Sequence, residues 1–171
     1  MPASLPTPAA PAQDETRSVL AIPAFRKLWN SMVFSSLGDW LGLLATTALA
    51  QQLSGGSYAT ANFAIAGVFI ARLLPAVFLG PIAGVIADRF DRRKLMVFSD
   101  IIRAGLYISI PIVNTYLWLY TAMILVECMT LFWSPAKEAT VPNLVGKERL
   151  ESANQVSLFA ASGTAPVAAI L

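Results

Sequence analysis

The sequence predicts an all-α integral membrane protein, and three observations predict it. The composition is too apolar for water, several apolar runs are long enough to cross a bilayer, and the basic residues keep to alternate loops. Of 171 residues, 56% are hydrophobic and only 13% are charged, against about 25% charged in a typical soluble domain. So few charges cannot cover the apolar surface in water, and lipid is the expected solvent.

The elements follow in chain order. Residues 1–24 are expected to form a disordered cytoplasmic tail. They open with Pro, Ala, Ser and Thr, and lack the basic start and apolar core of a secretory signal. A membrane helix needs about 20 apolar residues to cross about 30 Å of hydrocarbon. Residues 28–53 form the first such run, broken only by Asp39, and residues 59–87 the second, broken only by Arg72. Residues 95–113 form the third, with Asp100 and Arg103 near its start, and residues 116–133 the fourth, containing Glu127. Residues 156–171 form an incomplete fifth, which would reach only about 24 Å. Period-2 alternation is absent, so helices are favoured over strands. Pro75 and Pro81 are expected to kink the second helix, and Pro135 to end the fourth at the interface. From there the chain is expected to lie along the membrane surface through Asn154.

Orientation comes from the 12 Lys and Arg residues. Arg17, Arg26 and Lys27 precede the first span. Arg89, Arg92, Arg93 and Lys94 lie between the second and third, and Lys137, Lys147 and Arg149 between the fourth and fifth. Arg103 is close enough to snorkel back to that same side, and Arg72 is alone inside a span. The opposite turns, residues 54–58 and 114–115, carry no charge. The positive-inside rule therefore predicts a cytoplasmic N-terminus and cytoplasmic basic loops.

Composition also narrows the chemistry. The chain has no histidine and one cysteine. That excludes a Ser-His-Asp triad, a histidine zinc site and an internal disulfide framework, and Cys128 is expected to be a packed thiol. No metal and no cofactor is expected. Nucleic acid is not an expected partner, because the basic residues sit in loops without interleaved aromatics.

The loop after the second span reads Gly84-Val85-Ile86-Ala87-Asp88-Arg89-Phe90-Asp91-Arg92-Arg93-Lys94. It resembles the loop signature of the major facilitator superfamily, a Gly separated by three residues from Asp-Arg and then a basic triplet. A second stretch, residues 132–145 followed by Leu150-Glu151-Ser152-Ala153-Asn154, resembles the region after helix four in its drug/proton antiporter branch. The resemblance implies the N-terminal part of a major facilitator bundle, with four complete helices and a truncated fifth. It also implies that Asp88 holds the two transporter halves together in one access state. Asp91 stands where many members have Gly, and the turn is expected to survive because Asp tolerates a left-handed backbone. The runs at residues 37–47 and 164–169 are similar to the transporter region of actinobacterial proteins that continue into a thymidylate kinase domain. No phosphate-binding loop is readable in this chain, since Gly146-Lys147-Glu148 lacks the required pattern.

Three ionisable residues lie deep. Counted from the expected helix ends at 1.5 Å per residue, Asp39 is about 16 Å in, Arg72 about 22 Å, and Glu127 about 12 Å. A charge there is costly unless it is paired or wet. An Asp39–Arg72 pair between antiparallel helices one and two is expected, serving as a register lock or a switch. Glu127, left without a cation, is expected to exchange protons or bind a cation. Asp100 and Arg103, at i and i+3, are expected to pair locally. Gly38, Gly42, Gly80 and Gly84 are expected to be helix-packing positions, and Trp29, Trp118 and Trp133 interfacial anchors.

The resemblance implies proton-coupled efflux of a small amphipathic compound by alternating access, across a bacterial plasma membrane. The expected partners are the lipid bilayer, a missing C-terminal half, the substrate and protons. Two alternatives belong to other classes: the membrane anchor of a kinase fusion whose catalytic domain lies downstream, and a small membrane scaffold or regulator. No enzymatic activity is expected of the chain itself.

Overall fold

Helix α1 begins at Pro23, whose fixed φ and missing N–H suit the first helical position, and it runs for 31 residues to Leu53. The structure is a computed structural model that describes residues 19–170. Most of the expected N-terminal tail, and Leu171, lie outside the described residues. Gly55 and Gly56, both at positive φ, turn the chain into α2 (Tyr58–Ala87), which Ser57 caps by accepting from the Thr60 amide. Helix α3 (Arg92–Val113) follows a short turn, and Asn114, at φ 51°, closes it. Helix α4 (Tyr116–Val145) is capped by Thr115. Gly146, at φ 74°, ends α4 and leads through a single 3₁₀ turn, Lys147–Arg149, into α5 (Leu150–Ser162) and α6 (Thr164–Ile170).

Three local expectations are corrected. Asp91 is not left-handed: its φ of −62° is extended, and its carboxylate caps α3 by accepting from the Lys94 amide at 2.9 Å. The acidic side chain thus takes over the turn by capping. Pro135 does not end α4, which continues through it and through Pro142 to Val145. An interior proline costs about 3 kcal/mol. Against that, Val141 and Val145 are buried with Val19, Phe25, Ala153 and Val156 in one apolar cluster, and each large apolar side chain buried contributes about 1.5–3 kcal/mol. Packing wins. The chain between α4 and the next helix is correspondingly short, and α5 starts at Leu150 instead of Val156.

Helix five is interrupted at Gly163. Pro166 has no N–H for the Ser162 carbonyl, and a Cβ at Gly163 would meet the Phe159 carbonyl oxygen at 2.6 Å. Two indoles tie this segment to α1: Trp29 Nε1 donates to Val156 O at 3.0 Å and Trp40 Nε1 to Ala161 O at 3.2 Å. Trp118 Nε1 donates to Ser109 Oγ at 3.0 Å, joining α4 to α3.

Helix α4 packs along both α2 and α3, and α1 packs against α2, α5 and α6. Small residues permit this. Ala50, Ala64, Val68, Ala71, Ala122 and Met123 meet in a core at the end of the bundle away from the basic loops, where Tyr120 covers Gly67. The apolar cluster around Phe25 occupies the basic end. Large apolar side chains such as Phe34, Phe63, Val77, Ile101 and Ile112 point outward and stay exposed, as a surface facing lipid requires. Four helices, α1 to α4, are long and apolar enough to cross a membrane.

Candidate functional site

Between the two apolar cores lies a layer of charge. Arg103 of α3 is its hub, with a side chain only 5% exposed. Its guanidinium pairs with Asp39 of α1, lies 3.3 Å from Asp100 Oδ1, and donates to Ser35 Oγ at 3.0 Å. Ser35 in turn donates to Asp100 Oδ1 at 3.1 Å. Across α3, Arg72 Nε of α2 stands 3.6 Å from Glu127 Oε2 of α4. Tyr107, one turn along α3 from Arg103, lies in the fields of Arg72, Arg103 and Glu127. Its hydroxyl is buried without a hydrogen-bond partner, and its ring fills the space a side chain at Gly42 would need.

The expected Asp39–Arg72 pair is therefore not formed, and Glu127 is not without a cation. The second error comes from a helix end, the first from which helices touch. Because α4 runs on to Val145, Glu127 lies about 27 Å from its end, close to the level of Arg72 at about 22 Å. Arg103 does not snorkel back to the basic end: its long side chain turns toward α1 and reaches Asp39. The Asp100–Arg103 contact is present as expected, yet it is one arm of a larger cluster. Sequence reasoning missed Ser35, Tyr107 and the hub role of Arg103. An arginine at i+3 from an aspartate, on a helix facing a second intramembrane aspartate, was the available signal.

Two clefts reach this layer. One, of about 380 Å³, lies between α1 and α3 and is lined by Ser35, Gly38, Asp39, Asp100, Arg103 and Tyr107. The other, of about 660 Å³, opens at the basic end and is lined by Lys27, Arg92, Arg93, Asp100 and Asn143. Ser31 and Asp100 line both.

The loop residues fall at that basic end. Asp88 caps the C-terminus of α2, its amide donating to Gly84 O at 3.0 Å, and its exposed carboxylate makes no ion pair among the described residues. Arg92 Nη1 donates to Ala139 O at 2.8 Å, bracing α4 between its two prolines. Arg89, Arg93 and Lys94 are exposed. Of the expected packing glycines, only Gly42 is closely covered. A Cβ at Gly38, Gly80 or Gly84 would meet nothing within 4 Å.

Four apolar helices enclosing ion pairs, joined by a loop of Gly-Asp-Arg and basic residues, define a multi-pass membrane protein built as a transporter bundle. Comparison with known proteins specifies it further. A family model described as Transmembrane secretion effector matches residues 15–162, and the chain belongs to that major facilitator family. It is 34% identical over 130 residues to the uncharacterized MFS-type transporter YfiS of Bacillus subtilis, an alignment covering 76% of this chain and 30% of that protein. It is 29% identical over 149 residues to the MFS-type transporter Rv0037c of Mycobacterium tuberculosis, covering 85% and 33%. Macrolide efflux protein A of Streptococcus pyogenes shares 35% identity over 82 residues, 45% of this chain and 20% of its own. The chain thus spans a third or less of the length of these curated relatives. No solved structure matches.

Proposed function

We propose that the chain is part of the N-terminal bundle of a secondary transporter that exports a small amphipathic compound in exchange for protons. The N-terminus and the basic loops face the cytoplasm, as the loop charges require. Export as the direction draws on the name of a relative, the macrolide efflux protein. The observation that carries proton coupling is the Arg72–Glu127 pair, 3.6 Å apart and largely shielded, with side chains 24% and 16% exposed. A carboxylate of this kind has two states. Ionised, it holds Arg72; protonated, it releases Arg72 to a substrate or to another carboxylate. Asp88, exposed and without an ion pair among the described residues, is available to engage a second bundle in one access state.

The test is Glu127→Gln in the full-length protein. Proton-driven uptake into inverted vesicles, whose outer face is the cytoplasmic one, is expected to be lost while the protein level in the membrane is kept. Uptake at the unmodified rate would refute the coupling role. The likeness to kinase-linked transporters has its own test, since a phosphate-binding loop would have to be encoded after Leu171.

A further inference from the structure

We infer that Asp39, Arg103 and Asp100 form a second ionic site that binds one proton, held on Asp100 and drawn from the cleft at the basic end of the bundle. The inference builds on the membrane-spanning reading and adds a seat beyond Glu127.

Charge balance is the first argument. Arg72 and Glu127 match one to one, whereas two carboxylates share the single guanidinium of Arg103. The groups around the triad do not correct the imbalance. Tyr107 on α3 is uncharged, the Arg72 charge is matched by Glu127, and α5 and α6, packed on α1, carry only Glu151 at their basic-end start. Lys27, Arg92 and Arg93 line the neighbouring cleft without forming an ion pair to Asp100. An excess carboxylate inside a membrane bundle is costly. A proton removes the excess without displacing Arg103.

Geometry says which carboxylate takes it. Arg103 gives Nη2 to Asp39, while Nη1, which contacts Asp100 at 3.3 Å, is shared with Ser35. Asp100 also accepts from the Ser35 hydroxyl, a bond that a protonated Asp100 can keep. Access agrees, because Asp100 lines both clefts and Asp39 only the inner one. Arg103 Nε, buried and without a hydrogen-bond partner among the described residues, leaves the guanidinium a donor in reserve inside the site. In the step itself, a hydronium ion gives its proton to an Asp100 oxygen. One O–H bond forms, one water is left in the cleft, and Arg103 stays protonated on Asp39.

The experiment reads protonation and not transport, so it can fail while coupling at Glu127 stands, and the reverse. The intact protein in lipid nanodiscs is taken between alkaline and acidic buffer, and infrared difference spectra record the carboxylic-acid carbonyl band. Asp100→Asn is expected to remove a component of that band that Glu127→Gln leaves in place. Asp39→Asn is expected to remove it too, because Arg103 and Asp100 then balance. A component that survives Asp100→Asn, or that disappears only with Glu127→Gln, overturns the site. If a single variant fails to fold, the double variant Arg103→Gln with Asp39→Asn still decides. It leaves Asp100 without a cation, so the component must remain, and its loss would overturn the inference.

Discussion

Arg103→Gln is the substitution that most directly tests how the bundle is held together. The change keeps most of the side-chain length and a polar head while removing the charge. It strips the cation from Asp39 and Asp100 and the donor from Ser35. Breaking a buried ion pair by removing one partner costs about 3–5 kcal/mol, because the other charge is left uncompensated. Here the two partners keep side-chain exposures of 30% and 33%, which places the cost near the low end, at about 3 kcal/mol. That is more than a hundredfold in the folded-to-unfolded ratio. The assay is denaturant or thermal unfolding of the intact protein in detergent micelles, with tryptophan fluorescence as the probe. Since replacing a whole ionic cluster by neutral groups is often close to neutral, adding Asp39→Asn and Asp100→Asn should recover most of the loss. If the triple variant is no more stable than Arg103→Gln alone, the cost lies in lost packing of the arginine stem and the electrostatic account is wrong.

Two further predictions concern local geometry. A side chain at Gly67 would come within 2.9 Å of the Tyr120 ring, so Gly67→Val should lower stability by about 1–3 kcal/mol. Gly38→Ala, which meets nothing within 4 Å, should raise it by about 0.5–1 kcal/mol through helix propensity. Both are read as Tm shifts, and a loss at Gly38 in the intact protein would show that another helix packs there. Asp91→Ala removes the cap on the Lys94 amide and should cost about 1 kcal/mol, whereas Asp91→Gly should cost only a few tenths. An Asp91→Ala variant as stable as the unmodified protein would mean that the cap contributes nothing.

The sequence was most legible where one physical rule dominates. Uninterrupted apolar runs place four spanning helices, and the uncharged Gly55-Gly56 and Asn114-Thr115 turns separate them, because nothing competes with lipid burial there. It was least legible where two rules conflict. Pro135 reads as a stop, yet burial of Val141 and Val145 against Phe25 carries the helix past it. That decision is made by residues more than a hundred positions away. The error then spread to the site, because a misplaced helix end shifts every depth counted from it. Arg103 was misread for another reason, taken as a surface-seeking arginine when its partner Asp39 lies on a neighbouring helix. The identities of the buried charges were readable from the sequence. Their pairing was not, since it depends on which helices touch, and apolar runs without a strong amphipathic stripe do not announce their neighbours.

The pairing has a consequence for how such a bundle moves. Both clusters join helices within one bundle: α1 to α3 through Arg103, and α2 to α4 through Arg72 and Glu127. If access alternates by rocking this bundle as a body against another, neither cluster is pulled apart by the rocking itself. Protonation must then act indirectly, by loosening a tie inside the bundle so that a helix can shift. The two couples differ in what they would release. Neutral Glu127 frees Arg72, a cation about 22 Å from the end of α2, whereas neutral Asp100 frees no cation because Arg103 keeps Asp39. The first change alters the charge that the bundle offers to a substrate. The second relieves an imbalance and leaves the α1–α3 tie in place. On this reasoning Glu127 is the group that can switch and Asp100 the group that can be loaded without switching, so a mobile α2–α4 contact beside a constant α1–α3 contact is the pattern of motion the charges permit.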